Sequence, residues 1–306
     1  MKNEIYTANR FYREKFGKKL IKLSIDGGFT CPNRDGTAGT GGCIFCSGSG
    51  SGDFAAKGED IKKQAEEAKA RLNEKWGGCD CEYMVYFQAY TNTYAPTGVL
   101  REKYLSALEA AGAAAISIAT RPDCIDGEKT ELLKEISQKY YVTVELGLQT
   151  SNEKTAVLIN RGYKNAEYIN AVNMLKNAGI DVITHIILGL PGETKADMRS
   201  SVDFAVNAGT KGLKLQLLHI LKGTKLAKIY AEKPFRLFEK EEYINFICDI
   251  LEDLPEDIVI HRMTGDAPKA LMIQPWWSLD KRSVLNGITR EWKKRREKIR
   301  VLNELM

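Results

Sequence analysis

The chain has 306 residues, 43% of them hydrophobic and 28% charged, a globular balance that fits two average domains or one α/β barrel. No apolar run approaches the roughly 20 residues of a membrane span, and the N-terminal MKNEIYTANRFYREKFGKKL lacks the apolar core of a signal peptide, so a cytoplasmic protein without membrane attachment is expected. Seven unevenly spread cysteines speak against a disulfide framework and for metal-binding or catalytic thiols.

In chain order, residues 1–20 read as a basic arm, and Lys2, Arg10, Arg13, Lys15, Lys18, Lys19 and Lys22 cluster in and just beyond it. Strand-like apolar runs follow at 22–26, 83–90, 114–120, 141–149, 181–190, 213–221 and 257–263. Several are nearly continuous in apolar or β-branched residues, the pattern of parallel strands buried on both faces. Helical patterns separate them at 56–75, 98–111, 128–138, 165–178, 195–208 and 239–253, with Gly179 and Gly209 placed as helix stops. The alternation predicts a parallel α/β fold, either a doubly wound sheet or a βα barrel. REWKKRREKIR at 290–300 closes the chain with seven basic residues against two acidic ones. The net charge of +5 is therefore weighted toward the two ends, which suit either a polyanion such as RNA or a solvated surface.

Polar and special residues gather after the strands, where barrels carry their chemistry: DGGFTCPNRDG, QAYTNTYAP, TRPDC, GLQTSN, GLPGET, HILKGT and HRMTGDAP. All three histidines, His185, His219 and His261, lie in or at the end of a predicted strand. His219, His261 and Arg262 are the favoured catalytic candidates, each an imidazole or guanidinium at a strand end. Gln88, Tyr90, Asn92, Arg121, Asp123, His185, Lys222 and Asp266 are further candidates for the mouth. Adjacent Trp276 and Trp277 suit either base stacking or a hydrophobic lid.

Three thiols surround a glycine-rich loop, CPNRDGTAGTGGCIFC. Eleven residues separate Cys31 from Cys43, and two separate Cys43 from Cys46. A structural zinc site needs four closed ligands, and no fourth lies nearby unless Cys79 or Cys81 supplies it. A [4Fe–4S] cluster held by three cysteines leaves one iron open to a small molecule. The glycines let backbone approach a bulky group closely. Cys248, among apolar helical neighbours, reads as packing, and Cys124 lies near the presumed mouth.

These motifs, with YFQAYTNTYAP, SIATRPDC, VELGLQT, INRG, HIILGLPGET and KLQLLHILKGT, resemble the radical S-adenosylmethionine (SAM) superfamily. Within it the resemblance is to the Elp3-like branch and the YhcC/YtqA-type proteins, from about residue 3 to 290. The spacing departs from the superfamily's common C-x3-C-x2-C. The resemblance implies an α/β fold, a partial (βα)6-type radical SAM barrel with parallel strands over 21–264, flanked by the arm at 1–20 and a C-terminal extension at 265–306. It implies Cys31, Cys43 and Cys46 as ligands of a [4Fe–4S] cluster. It places Phe45 near the adenine of SAM, Glu145 at its ribose or amino group, Gln149 and Arg161 near its carboxylate, and Gln88 at the cofactor. The Leu188–Gly189 turn would pack on the adenine.

The implied chemistry is reductive cleavage of SAM to a 5′-deoxyadenosyl radical that takes a hydrogen atom from the substrate. The implied substrate is the wobble uridine of tRNA, taken from carboxymethylaminomethyl-uridine to aminomethyl-uridine, with an electron donor such as flavodoxin or ferredoxin. The alternatives are another radical SAM reaction, on a small metabolite or a protein, and a non-enzymatic zinc or RNA-binding module.

Overall fold

The computed structural model describes residues 4–305 apart from 51, 57, 59 and 77–79. Lys2 and Cys79 lie outside the described residues. Seven parallel strands form one sheet in the order β1-β2-β3-β4-β5-β6-β8: β1 (Lys19–Ile25), β2 (Cys81–Phe87), β3 (Ala115–Thr120), β4 (Tyr141–Gln149), β5 (Asp181–Leu188), β6 (Gly212–Leu217) and β8 (Val259–Arg262). All seven predicted strands are present. The predicted 213–221 strand stops at Leu217; a two-residue strand β7 (Ile220–Leu221) then leaves the sheet and pairs antiparallel with β9 (Met272–Gln274).

The strand order decides between the two architectures that the sequence left open. A doubly wound sheet reverses direction at a switch point, whereas this order never reverses. The sheet also curls: Lys214 Nζ on β6 lies 3.1 Å from Tyr86 Oη on β2, although strands four places apart in a flat sheet are about 19 Å apart. The result is an open, curled half-barrel. Its β1 edge is covered by Ala56, whose N–H donates to Ser24 O at 3.0 Å. Its β8 edge is covered by the N-terminal segment, through Ile260 N–H to Tyr6 O at 2.8 Å.

The expected helices are α2 (Ile61–Trp76), α3 (Thr97–Ala111), α4 (Gly127–Ser137), α6 (Asn165–Asn177), α7 (Lys195–Ala208) and α9 (Lys240–Asp253). The first starts later than its pattern, because Ala56 is used in the edge bridge and the Asp60 carboxylate accepts from Lys62 N and Lys63 N. Three short helices were not expected: α1 (Ala8–Phe16), α5 (Glu153–Leu158) and α8 (Lys225–Glu232). Each begins at a side-chain N-cap, Thr7, Asn152 and Thr224 respectively.

Within residues 1–20, read as a basic arm, Ala8–Phe16 forms the α1 helix. It seals the N-terminal end of the half-barrel, packing buried Tyr12 with Met84 and Ala115 and lying against Tyr141. Its charges are largely spent locally: Arg10 pairs with Glu14, Lys15 lies over the Tyr141 ring and Lys18 meets Asp80. Lys22 points inward, to Glu145.

The long C-terminal helix α10 (Lys281–Leu305) packs on α9 through Val284, Ile288 and Trp292. Arg295 and Arg296 in the basic run are ion-paired to Asp249 and Glu252, so only part of that run faces solvent. Among the described residues no helix is long and apolar enough to cross a membrane.

Candidate active site

The lumen of the half-barrel is polar, unlike its outer face. Inward positions alternate along the strands, as pleating requires, and bring Lys22, Tyr86, Ser117, Glu145, His185 and Lys214 together. The Glu145 carboxylate is the hub. Oε1 accepts from Lys22 Nζ at 2.9 Å and Ser117 Oγ at 2.9 Å. Oε2 accepts from Tyr86 Oη at 2.8 Å, His185 Nε2 at 2.8 Å and Lys214 Nζ.

Burial opposes ionisation of Glu145, but Lys214 and Lys22 outweigh it and hold the carboxyl well below its usual range. Burial, reinforced by Lys22 and Arg262 and opposed by Glu145, pushes the Lys214 ammonium down to about 7. Burial and the Lys214 charge push His185 down to about 4. His185 is thus neutral near pH 7, with Nε2–H toward Glu145 and Nδ1 facing the Gln216 amide at 3.4 Å.

Above this floor lies a cavity of about 370 Å³, lined also by all three loop cysteines, Cys31, Cys43 and Cys46. The glycine-rich loop crosses the mouth and is clamped to the turn after α5. Ile44 N–H donates to Ile159 O at 3.0 Å, and Asn160 Nδ2 donates to Gly42 O at 2.8 Å. In return Asn33 Nδ2 donates to Asn160 O at 2.6 Å and toward Cys43 Sγ at 3.8 Å. Arg34 ties the loop's own end by donating to Ser47 O at 2.6 Å. Burial and the neighbouring Cys46 raise the Cys43 thiol to about 12, against Arg121; burial likewise raises Cys46, against Arg34.

The donor set distinguishes between the metals considered. Thiolates around one tetrahedral zinc lie about 3.8 Å apart. Among the described residues no three His, Cys, Asp or Glu side chains converge as a single-ion site. Three cysteines that line one cavity without forming a single-ion group suit a cluster, whose irons are held singly.

Phe45 and Gln88 also line the cavity. Gln149 lines it with φ +67°, and its Oε1 is buried without a partner, a polar atom available to a ligand. Arg161, expected at a cofactor carboxylate, is fully buried and spends its N–H groups on the chain. Nη1 bonds Leu148 O and Thr150 O (3.1 and 2.7 Å), Nε bonds Tyr163 O (3.0 Å), and Nη2 bonds Tyr163 O and Asn165 Oδ1 (2.8 and 3.1 Å). It is a clamp on the turn. Glu145 is similarly saturated by its five donors.

Leu188 and Gly189 are not part of the cavity wall: Leu188 O accepts from Leu218 N at 2.9 Å, and Gly189 N–H points at Met198 Sδ.

Of the favoured catalytic residues only Arg262 lines the cavity. His219 packs against Gly265, where a side chain would collide with its ring. His261 lies over Gly212, where an added Cβ would stand 2.6 Å from the ring, and edge-on to Tyr12 at 5.9 Å. Both imidazoles are part-buried and neutral: His219 is lowered to about 4 and His261 well below its usual value. Trp277 acts as a lid, its Nε1–H donating to Phe238 O at 3.0 Å, while Trp276 is exposed. Cys124 and Cys248 are buried.

Sequence reasoning missed Lys214, Tyr86, Ser117 and Asn33, and took Lys22 for part of the arm. A signal was present: polar residues two apart inside apolar strands, such as Lys22 and Ser24 or Lys214 and Gln216, mark a polar lumen.

A family model for the radical SAM superfamily matches residues 33–205, and one for a Radical_SAM C-terminal domain matches 210–294. The chain is 45% identical over 291 residues to YtqA of Bacillus subtilis, covering 95% of this chain and 90% of that one. It is 36% identical over 264 residues to YhcC of Escherichia coli, covering 86% and 84%. A tRNA uridine(34) acetyltransferase of Methanocaldococcus infernus is 26% identical over 163 residues, 52% of this chain and 30% of the longer enzyme. The solved Elp3 of M. infernus has the same fold, with a TM-score of 0.64 at 18% identity over 83% of this chain and 59% of that one. Streptococcus suis SuiB with bound S-adenosylmethionine shares the fold at a TM-score of 0.50 and 12% identity, over 85% and 54%. The chain belongs to the radical SAM superfamily, whose members use a [4Fe–4S] cluster and S-adenosylmethionine, and within it stands with the YtqA and YhcC proteins.

Proposed function

We propose that this protein is a tRNA-modifying radical SAM enzyme that acts on the wobble-uridine C5 side chain, converting carboxymethylaminomethyl-uridine to aminomethyl-uridine in the cytoplasm. The observation that carries the reading is the relation to the tRNA uridine(34) acetyltransferases, joined to one cavity lined by three cysteines and by the basic residues Lys214 and Arg262. Exposed Arg290, Lys293, Lys294 and Lys298 on α10 suit a phosphate backbone.

Cys31, Cys43 and Cys46 would hold the cluster, leaving one iron open to SAM, with a flavodoxin or ferredoxin as electron donor. When bound, the two together supply a hydrogen-atom acceptor and take up a second electron, the two-electron oxidation that lets water release the amine and an α-oxo acid. The chain's own part is to hold and screen. Phe45 and Gln149 line the cofactor side, the glycine loop covers the mouth and excludes water, and the Glu145 network fixes the floor. Arg262 faces the substrate, and His219 and His261 act as packing that positions the β6 and β8 ends.

Mass-spectrometric nucleoside profiling of tRNA from a strain lacking the protein tests the reading. Carboxymethylaminomethyl-uridine should accumulate at the expense of aminomethyl-uridine. Unchanged wobble uridines would overturn it.

A further inference from the structure

Among the described residues, the cavity floor gathers more basic than acidic side chains. Lys22, Lys214 and Arg262 meet there, and Glu145 is the one carboxylate among them. Asp266, the acid beside Arg262 in the sequence and on the cavity wall, is taken by Lys281 Nζ at 2.5 Å. The other arginines of the cavity are spent: Arg34 on backbone carbonyls, Arg121 on Asp123 and Arg161 O. Arg262 alone has no hydrogen-bond or ion-pair partner among the described residues, yet it lines the cavity. An unpartnered guanidinium in a partly enclosed site is costly unless an anion completes it, and its planar fork matches a carboxylate bidentately.

Position separates this group from the cofactor end. The Arg262 charge acts on Tyr86, His185, Lys214 and His219, whereas Arg34 and Arg121 act on the Cys46 and Cys43 thiols. Burial lowers the Lys214 ammonium, Glu145 opposes that shift, and Lys22 and Arg262 add to it, which places the Arg262 charge within reach of Lys214.

We propose that the floor between Arg262 and Lys214 is a subsite for a substrate carboxylate, with Arg262 as its bidentate anchor. This rests on the function proposed above for the identity of the substrate, whose carboxymethylamino group ends in such an anion. The subsite itself stands on the charge balance.

The test uses the reconstituted, SAM-bound protein and a fragment probe, N-methylglycine, against dimethylamine, which has the amine without the carboxylate. Calorimetric titration should show N-methylglycine bound at least about tenfold more tightly than dimethylamine. Arg262→Gln should remove that preference and Arg262→Lys should restore part of it, with SAM affinity unchanged in both. Equal binding of the two probes, no binding of N-methylglycine, or full binding to Arg262→Gln would overturn the subsite. A parallel loss of SAM affinity would overturn it by assigning the guanidinium to the cofactor. The titration contains no RNA, so its failure is distinct from an unchanged nucleoside profile.

Discussion

Asn33 and Cys43 are joined by a hydrogen bond from the Asn33 amide to the Cys43 thiol at 3.8 Å, and the same amide nitrogen gives its other proton to Asn160 O at 2.6 Å. Two acceptors on one side fix which way the amide faces. Its Oδ1 is left buried without a partner, in space that Gly39 and Gly162 keep open. A donor aimed at a ligating sulfur stabilises the more negative, reduced cluster. Asn33→Ala should therefore shift the cluster midpoint to a more negative potential, and Asn33→Asp further still. An EPR-monitored redox titration of protein with matched iron content checks this; unchanged potentials would remove the assignment.

Individual Cys31→Ala, Cys43→Ala and Cys46→Ala variants should lose the visible cluster absorbance and most of the iron after anaerobic reconstitution. Cys81→Ala and Cys124→Ala should keep both, since Cys81 begins β2 and Cys124 is buried beside Asp123. Full iron in a variant of the first three would remove that cysteine from the ligand set.

Glu145→Gln should destabilise the fold by about 3–5 kcal/mol, because it leaves the buried Lys214 and the part-buried Lys22 ammonium groups without a counter-charge. Adding Lys214→Met should recover part of that loss, since the two residues share one interaction. Urea midpoints of the two variants measure the difference. An additive double variant would mean that the pair is not coupled.

Acidification should unfold the protein early. His185 and His219 are both lowered to about 4, against about 6.5 in an unfolded chain. Below pH 6.5 the unfolded state takes protons that the folded imidazoles refuse until about pH 4, so stability falls as pH falls through that window. Each contributes a loss of up to about 3 kcal/mol by pH 4. Glu145, held ionised in the fold, adds to the loss below the usual carboxylate range. His185→Gln should reduce the loss between pH 6.5 and 5 by about 2 kcal/mol. Denaturation midpoints across that range test it, and an unaltered slope would reject a neutral His185.

Much of this was legible in one dimension. Apolar, β-branched runs identified all seven barrel strands, because strands buried on both faces have to be apolar. The three cysteines Cys31, Cys43 and Cys46 by themselves left zinc and a cluster both open, and the resemblance carried by the surrounding motifs implied a cluster with an open iron. What the linear reading could not see is how Arg161 and Glu145 are held: both line the cavity, yet the chain itself engages most of their donors and acceptors. Arg161 is satisfied by Leu148, Thr150 and Tyr163 carbonyls, and Glu145 by residues from β1, β2, β3, β5 and β6.

The sequence by itself determined the seven strands, the longer helices between them and the resemblance to the family, since each is written in local pattern and motif. Only the tertiary structure decided that the sheet curls without reversing, that α1 seals its base and that Lys22 serves the lumen. It also decided that Arg262, alone among the cavity's arginines, has no hydrogen-bond or ion-pair partner among the described residues. Those outcomes depend on which side chains from distant strands meet, and curling brings Tyr86 to Lys214 across a separation that no local pattern encodes.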